Sequence, residues 1–473
     1  MKKVLALAVA AVVLATVPAA AVDFTTYVAL GDSLTAGFSS GGLAQPFQEG
    51  SYPALLARQA GTPVFEQPLV EYPGIPPVLI LLQLHPGPVL VPASETPGRP
   101  LNAEYPYPYN NLGVPGADLY DLLFTTGDIY NLLAGNYDNV MHDLILRNGE
   151  HTALEQAIGL DPTFLTLWIG NNDVLGAAVY ATPIDGVTMT PAANFEQMYN
   201  TVAAALAEHT NADMVFINLP DVTAIPFITT LKPYIELPDG THVPLIGSKG
   251  LLPEDAYVTL GAASLLAQGI GIPVELGGTG IPLPEDLQIT AEGAIPGVVL
   301  RQDEAAVING RVAAFNDIIA AAADAVGAKV FDVNAFFNEV ASGELWSVGG
   351  LEIGTAYMVG GLFSYDGVHP QKIGYGVIAA ELIDFINEAF DLRHYGGEIT
   401  NVNMYEIMTG SAEDQPIPTP LTTADIQRLF TREAFQTLQQ VFVPRLENYH
   451  RTPRQGGRVA PELGVKPKAN VLR

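Results

Sequence analysis

Residues 27–37 read Tyr-Val-Ala-Leu-Gly-Asp-Ser-Leu-Thr-Ala-Gly. Four apolar residues run without alternation into a Gly-Asp-Ser turn, the pattern of a strand covered on both faces that ends at a loop. Similar runs recur at Tyr109 to Leu112, Phe164 to Ile169, Met214 to Leu219 and Lys329 to Val333. Helical patterns at 117–125, 193–209, 302–326 and 371–390 lie between or after them, the last placing Ile373, Val377, Phe385 and Ile386 on one stripe. Alternation of this kind predicts an α/β fold, three-layered, around a parallel sheet. Such sheets collect their functional groups at the carboxyl ends of the strands, which puts Ser33 where a nucleophile is presented.

Two regions interrupt the alternation. Residues 41–106 are rich in Pro and Gly, with Pro73-Gly74-Ile75-Pro76-Pro77 and Pro86-Gly87-Pro88 opposing regular helix and bracketing the apolar segment Val78 to Leu82. That segment reads either as a lid or acyl-chain wall, the reading favoured here, or as a buried strand. Residues 221–300 form the second insertion, where Pro253-Glu254-Asp255 and Pro284-Glu285-Asp286 each suggest a helix start. Beyond Pro416-Ile417-Pro418-Thr419-Pro420, residues Ile426, Leu429, Phe430, Ala434, Leu438 and Val441 suggest one amphipathic helix.

Composition narrows the function classes. The 473 residues carry 48% hydrophobic and 15% charged residues, so a disordered chain or a coiled coil is excluded. With 21 Lys plus Arg against 50 Asp plus Glu, the formal charge is −29, which repels a phosphate backbone and argues against nucleic acid as a partner. The absence of cysteine excludes disulfides, thiolate metal sites and thiol nucleophiles. The eight histidines are scattered, with no His-Glu-x-x-His, and no metal or other cofactor is expected.

Lys2 and Lys3 precede an apolar run from Val4 to Val17 and the small residues Ala19-Ala20-Ala21. This is the pattern of a secretory signal peptide over 1–21, and it predicts a secreted or periplasmic protein. No later stretch is read as apolar enough to span a membrane. The mature chain then divides into a body at 22–392 and an extension at 393–473. Residues 441–473 hold seven basic and two acidic residues, against 12 basic and 48 acidic in 22–440. The tail from Pro453 onward is expected to be solvated, with transient contact to a membrane or envelope surface as the alternative.

Four short segments carry chemistry. Gly31-Asp32-Ser33-Leu34 supplies the hydroxyl. In Asn110-Asn111-Leu112-Gly113-Val114-Pro115-Gly116-Ala117, the backbone N–H of Gly113 is unobstructed by a side chain and suits a developing oxyanion. In Gly170-Asn171-Asn172-Asp173, the Asn172 amide can donate to the same oxyanion, while Asn171 and Asp173 are read as holding the loop through local hydrogen bonds. Finally, Tyr365-Asp366-Gly367-Val368-His369-Pro370 places a carboxylate and an imidazole three residues apart, the base and its orienting group.

In this order, each at a strand end or loop, the segments resemble the SGNH serine hydrolases, also called GDSL esterases and lipases. The resemblance covers residues 24–390 and implies a flavodoxin-like three-layer α/β/α fold with a five-stranded parallel sheet. It further implies Ser33 as nucleophile, His369 as general base and acid, and Asp366 as its orienting group. Ser33 N–H, Gly113 N–H and the Asn172 amide would form the oxyanion hole. The implied activity is hydrolysis of small-molecule or lipid esters through an acyl-enzyme. A carbohydrate O-acetyl esterase is the alternative, with Tyr105, Tyr107 and Tyr109 as a candidate aromatic platform. A second alternative is an envelope-binding module. The two insertions and the C-terminal extension are additions to the compact form of the family.

Overall fold

The computed structural model describes residues 22–409, 425 and 429–441, apart from 84–87, 137, 291–292, 344–345, 349–350 and 396. The leader at 1–21, the linker at Pro416 to Pro420, Ile426 and the basic tail lie outside these residues.

Strands β1 (Tyr27–Gly31), β2 (Asn111–Gly113), β3 (Phe164–Trp168), β4 (Asp213–Ile217) and β5 (Lys329–Phe331) form one all-parallel sheet in the order β5-β4-β3-β1-β2. This is the flavodoxin-like order of a doubly wound α/β fold. Every residue of β1 and β3 is buried, so their unbroken apolar runs are what a sheet covered on both faces requires. The polar exception in β3, Thr166, shares a 2.8 Å hydrogen bond with the Tyr27 hydroxyl. Register aligns Gly31 with Gly113 on one side and with Trp168 on the other, so three loops leave the sheet at one level.

Helices α1 (Ser33–Ala36), α2 (Tyr52–Ala60), α3 (Leu119–Phe124), α4 (Asn172–Val179), α5 (Ala192–His209), α6 (Gln302–Val326), α7 (Val333–Ala341) and α8 (Lys372–Ala389) flank the sheet. Helix α8 packs on α2, while α5 packs on α3 and α6, giving the outer layers. Helix α2 lies inside the Pro-rich insertion because Pro53 sits in its first turn, where a missing N–H costs nothing, and Gly61 ends it in the left-handed conformation. Helix α6 is long and apolar enough to cross a membrane by composition, contrary to the sequence expectation. Ile308, Val312, Phe315 and Ile319 make its buried stripe, and it packs on α5 and α4.

The second insertion forms short antiparallel pairs, among them Tyr234–Glu236 with His242–Pro244 and Gln288–Thr290 with Gly293–Ile295. Neither expected helix start is realised. Glu285 is buried instead, taking the Arg301 guanidinium at 2.7 Å and the Lys249 N–H at 2.6 Å, so its carboxylate serves an ion pair rather than a helix terminus. In the C-terminal extension the expected single helix is interrupted: Asp425 and Leu429 are helical, Phe430 leaves the helix, and α9 (Arg432–Val441) follows. Thr431 caps it through Ala434 N–H, while Phe430 is extended and pairs with Leu90.

Candidate active site

Ser33 is the first residue of α1, a single turn between two stops. Asp32 caps its start by accepting the Leu34 N–H at 3.0 Å, and Gly37 ends it at φ +76°. The hydroxyl is thereby held at the carboxyl edge of β1, nearly buried. Asp32 itself is fully buried and accepts the Asn171 side-chain amide at 2.8 Å. Burial pushes its carboxyl up to about 6, against the opposing pull of Asn171, the Leu34 amide and the His369 charge.

Across from Ser33, the turn 364–370 closes on itself through Ser364 N–H to the His369 carbonyl at 2.8 Å. His369 Nε2 lies 2.9 Å from Ser33 Oγ, and its Nδ1 lies 2.9 Å from Asp366 Oδ2. Asp366 also accepts the N–H groups of Val368, His369 and Gly41 at 2.8–2.9 Å. Burial alone would raise the Asp366 carboxyl, but the His369 charge and these hydrogen bonds outweigh it and hold the group below its ordinary range. An ionised Asp366 accepts only, so Nδ1 carries a proton and Nε2 is left to accept from Ser33. Residues 37–43 brace the turn from behind: Ser40 N–H donates to Ser364 Oγ, and the Tyr375 hydroxyl donates to the Phe38 carbonyl.

The Gly113 expectation is corrected by the structure. Its N–H donates to Asn111 Oδ1 at 3.0 Å and is thus occupied. What Gly113 provides is room, since a Cβ there would stand 2.4 Å from the Ala36 nitrogen and 2.7 Å from the Thr35 carbonyl carbon. Without a side chain at 113, α1 can sit directly on the end of β2. Three residues on, Val114-Pro115-Gly116-Ala117 is a type II turn closed by Ala117 N–H to the Val114 carbonyl at 3.0 Å, with Gly116 at φ +80°. Among the described residues no hydrogen bond occupies the Gly116 N–H. Asn172, first residue of α4, donates its side-chain amide to the Ala117 carbonyl at 2.8 Å, which holds it beside that turn. The Pro115-Gly116 dipeptide is the sequence signal that marks this turn.

Asn171 and Asp173 do not act locally. Asn171 reaches Asp32, and Asp173 accepts the Leu119 N–H at 2.9 Å and the Thr190 hydroxyl at 2.7 Å. Burial raises the Asp173 carboxyl, an effect that these two hydrogen bonds offset in part.

Beside the serine and histidine lies a cleft walled by Leu34, Ile225, Phe337, Phe363, Val368 and Pro370, with Pro220, Asp221, Ala224, Ala341 and Thr355 completing it. Leu34 follows Ser33, and Val368 and Pro370 flank His369. Residues 78–82 are not among its walls. Val78 and Leu79 are buried, and Leu79 to Gln83 pairs antiparallel with Val89 to Pro92 in a hairpin that packs on α9. The buried-strand reading therefore describes this segment, with only Leu82 strongly exposed at its outer end. Tyr109 is buried beneath Arg147, which also donates to the Ala103, Tyr105 and Tyr107 carbonyls. That cluster pins a loop, with Tyr105 stacked on the buried Tyr109 and edge-on to the exposed Tyr107.

A hydroxyl, an imidazole and a carboxylate in series, at the strand ends of a parallel α/β sheet, are the parts of a serine-hydrolase site. Residues 27–382 match the family described as GDSL-like Lipase/Acylhydrolase. The chain belongs to this family, and it is an ester-bond hydrolase. Among solved structures, the crystal structure of phospholipase A1 from Streptomyces albidoflavus NA297 is similar at 17% identity, over 74% of this chain and 93% of that one, with a TM-score of 0.24. A search of curated proteins finds no match.

Proposed function

We propose that the chain is an exported serine esterase that works through an acyl-enzyme on Ser33. The observation that carries this reading is the linked pair of 2.9 Å contacts, Ser33 to His369 and His369 to Asp366. His369 Nε2 takes the Ser33 proton as Oγ attacks the ester carbonyl, and Asp366 stabilises the imidazolium. Collapse of the tetrahedral intermediate breaks the bond to the alcohol, which leaves with that proton. Water then attacks the acyl-Ser33 carbonyl, His369 accepts its proton and returns it to Ser33 Oγ, and the acid departs.

The oxyanion hole in this proposal consists of the Ser33 N–H, the Gly116 N–H and the second N–H of the Asn172 amide. Ser33 opens α1, so its N–H has no acceptor within the helix. The apolar cleft supports esters with a hydrocarbon chain, in preference to acetylated sugars. Export is supported by Lys2, Lys3 and the apolar run after them.

The test is hydrolysis of p-nitrophenyl esters from acetate to palmitate by residues 22–473, with Ser33→Ala and Asn172→Ala as variants. We expect loss on the order of 10⁶ in kcat for Ser33→Ala and about 10²–10³ for Asn172→Ala, with the highest kcat/KM above acetate. Equal activity in wild type and Ser33→Ala would overturn the nucleophile assignment. A preference confined to acetate would favour the sugar-ester reading, and folded but inert wild type would favour the binding-module alternative.

A further inference from the structure

Asp173 follows the proposed oxyanion donor Asn172 and is completely buried, yet the mechanism gives it no task. Its hydrogen bonds connect the two segments that form the oxyanion hole. Asn172 and Asp173 are the first two residues of α4, while Ala117 and Leu119 lie where the Gly116 turn enters α3. The Asn172 amide donates to the Ala117 carbonyl at 2.8 Å, and the Leu119 N–H donates to Asp173 Oδ2 at 2.9 Å. Two struts of opposite polarity, two residues apart on the turn side and adjacent on the α4 side, leave that joint little freedom to rotate or slide.

The other carboxylate oxygen is anchored as well. Thr190 closes a ring on Asp173, its hydroxyl donating to Oδ1 at 2.7 Å and its N–H to the Asp173 carbonyl at 2.7 Å. The Arg311 guanidinium of α6 donates to the Thr190 carbonyl and pairs with Asp185 at 2.6 Å, which ties Thr190 to the helical layer. The carboxylate therefore has a fixed position from which to hold Leu119.

We infer that Asp173 is a positioning residue, which sets the distance between the Gly116 N–H and the Asn172 amide by clamping Leu119 to the start of α4. This rests on the esterase reading above. Oxyanion donors act on charge that develops only in the transition state, so loosening them lowers kcat and leaves KM nearly unchanged. Asp173→Asn keeps an acceptor for Leu119 and a donor that the Thr190 hydroxyl can accept, so it should retain most activity. Asp173→Ala removes both.

The experiment is a double-mutant cycle on a p-nitrophenyl ester, using the chain from residue 22 with Asp173→Ala, Asn172→Ala and the pair. We expect Asp173→Ala to lower kcat about 10–100-fold, less than loss of a whole donor, with KM within about twofold. The double variant should fall no more than about threefold below Asn172→Ala, because Asp173 acts through the hole that Asn172 helps to form. Asp173→Asn should restore kcat to within about fivefold of wild type, as rescue by a residue that keeps both hydrogen bonds.

Additive losses in the double variant, a rise in KM with kcat unchanged, or full activity in Asp173→Ala would each overturn the inference. If Asp173→Ala does not fold, Leu119→Pro deletes the donor together with a buried leucine side chain, and Leu119→Ala, which keeps the N–H, controls for the lost side chain. Leu119 is the first residue of α3, where proline is tolerated, and Asp118 before it is already extended. Leu119→Pro should show the same fall in kcat measured against Leu119→Ala, and a kcat equal to that of Leu119→Ala would overturn the clamp. Activity surviving Ser33→Ala would instead remove the esterase reading, so the two failures are distinguishable.

Discussion

Two fully buried carboxylates serve the same serine, Asp32 from its helix cap and Asp366 through His369, and their surroundings push them in opposite directions. Asp366 takes three backbone N–H groups and the imidazole, and it is held ionised. Its contribution to stability is present above about pH 4 and is lost as pH falls through its lowered pKa. Asp32 has the opposite sign. With its pKa raised from 3.8 to about 6, the folded chain binds the proton more tightly than the unfolded chain, so stability falls as pH rises from about 4 to 6. A shift of that size corresponds to at most about 3 kcal/mol. Denaturant unfolding from pH 4 to 7 should show the stability of Asp32→Asn rising relative to wild type by up to that amount. Parallel pH curves for the two proteins would contradict the assignment. At this scale, Asp366 and His369 were readable because three residues on one turn bring them together locally. Asp32 was not, because its partner Asn171 is 139 residues away.

At the scale of an element, the turn from β2 into α3 separates two kinds of glycine. Gly113 is needed for space, and Gly116 for conformation. An alanine at 113 meets the backbone of α1, which cannot move aside as a side chain would, so the helix that carries Ser33 is displaced. We expect Gly113→Ala to lose about 1–3 kcal/mol of stability, as overpacked sites do, and to lower kcat by more than tenfold. An alanine at 116 meets no atom within 4 Å but must adopt φ +80°. Gly116→Ala should cost about 1–2 kcal/mol and keep its N–H, so its kcat should fall less than that of Gly113→Ala. Thermal melts with initial rates on one ester decide this, and the reverse ranking in kcat would refute the division of roles. Sequence alone offered both glycines three positions apart, and its reading took Gly113 for the donor. The choice depends on Asn111 folding back onto the Gly113 N–H and on α1 lying across it, and both follow from sheet register.

On the scale of the whole molecule, a formal charge of −29 works against the compact state through self-repulsion. Screening it should raise the melting temperature between about 0.05 and 1 M NaCl, since the Debye length falls to about 3 Å at 1 M. A melting temperature that falls with salt would show that attractive ion pairs, such as Arg301 with Glu285, outweigh the net repulsion. The local strings determined the α/β class and the five strands to within a few residues, and they singled out Ser33, Asp366 and His369, which the fold brings into contact. They did so because unbroken apolar runs, helical stripes and a three-residue turn are written within one segment. Tertiary structure alone decided which glycine N–H stands open and that Val78 and Leu79 are core. The cleft likewise had no signal in any one string, because its walls come from α1, the Pro220 to Ile225 loop, α7 and the segment 355–370. Contacts of that kind depend on sheet order and loop packing, and only the folded chain brings their residues together.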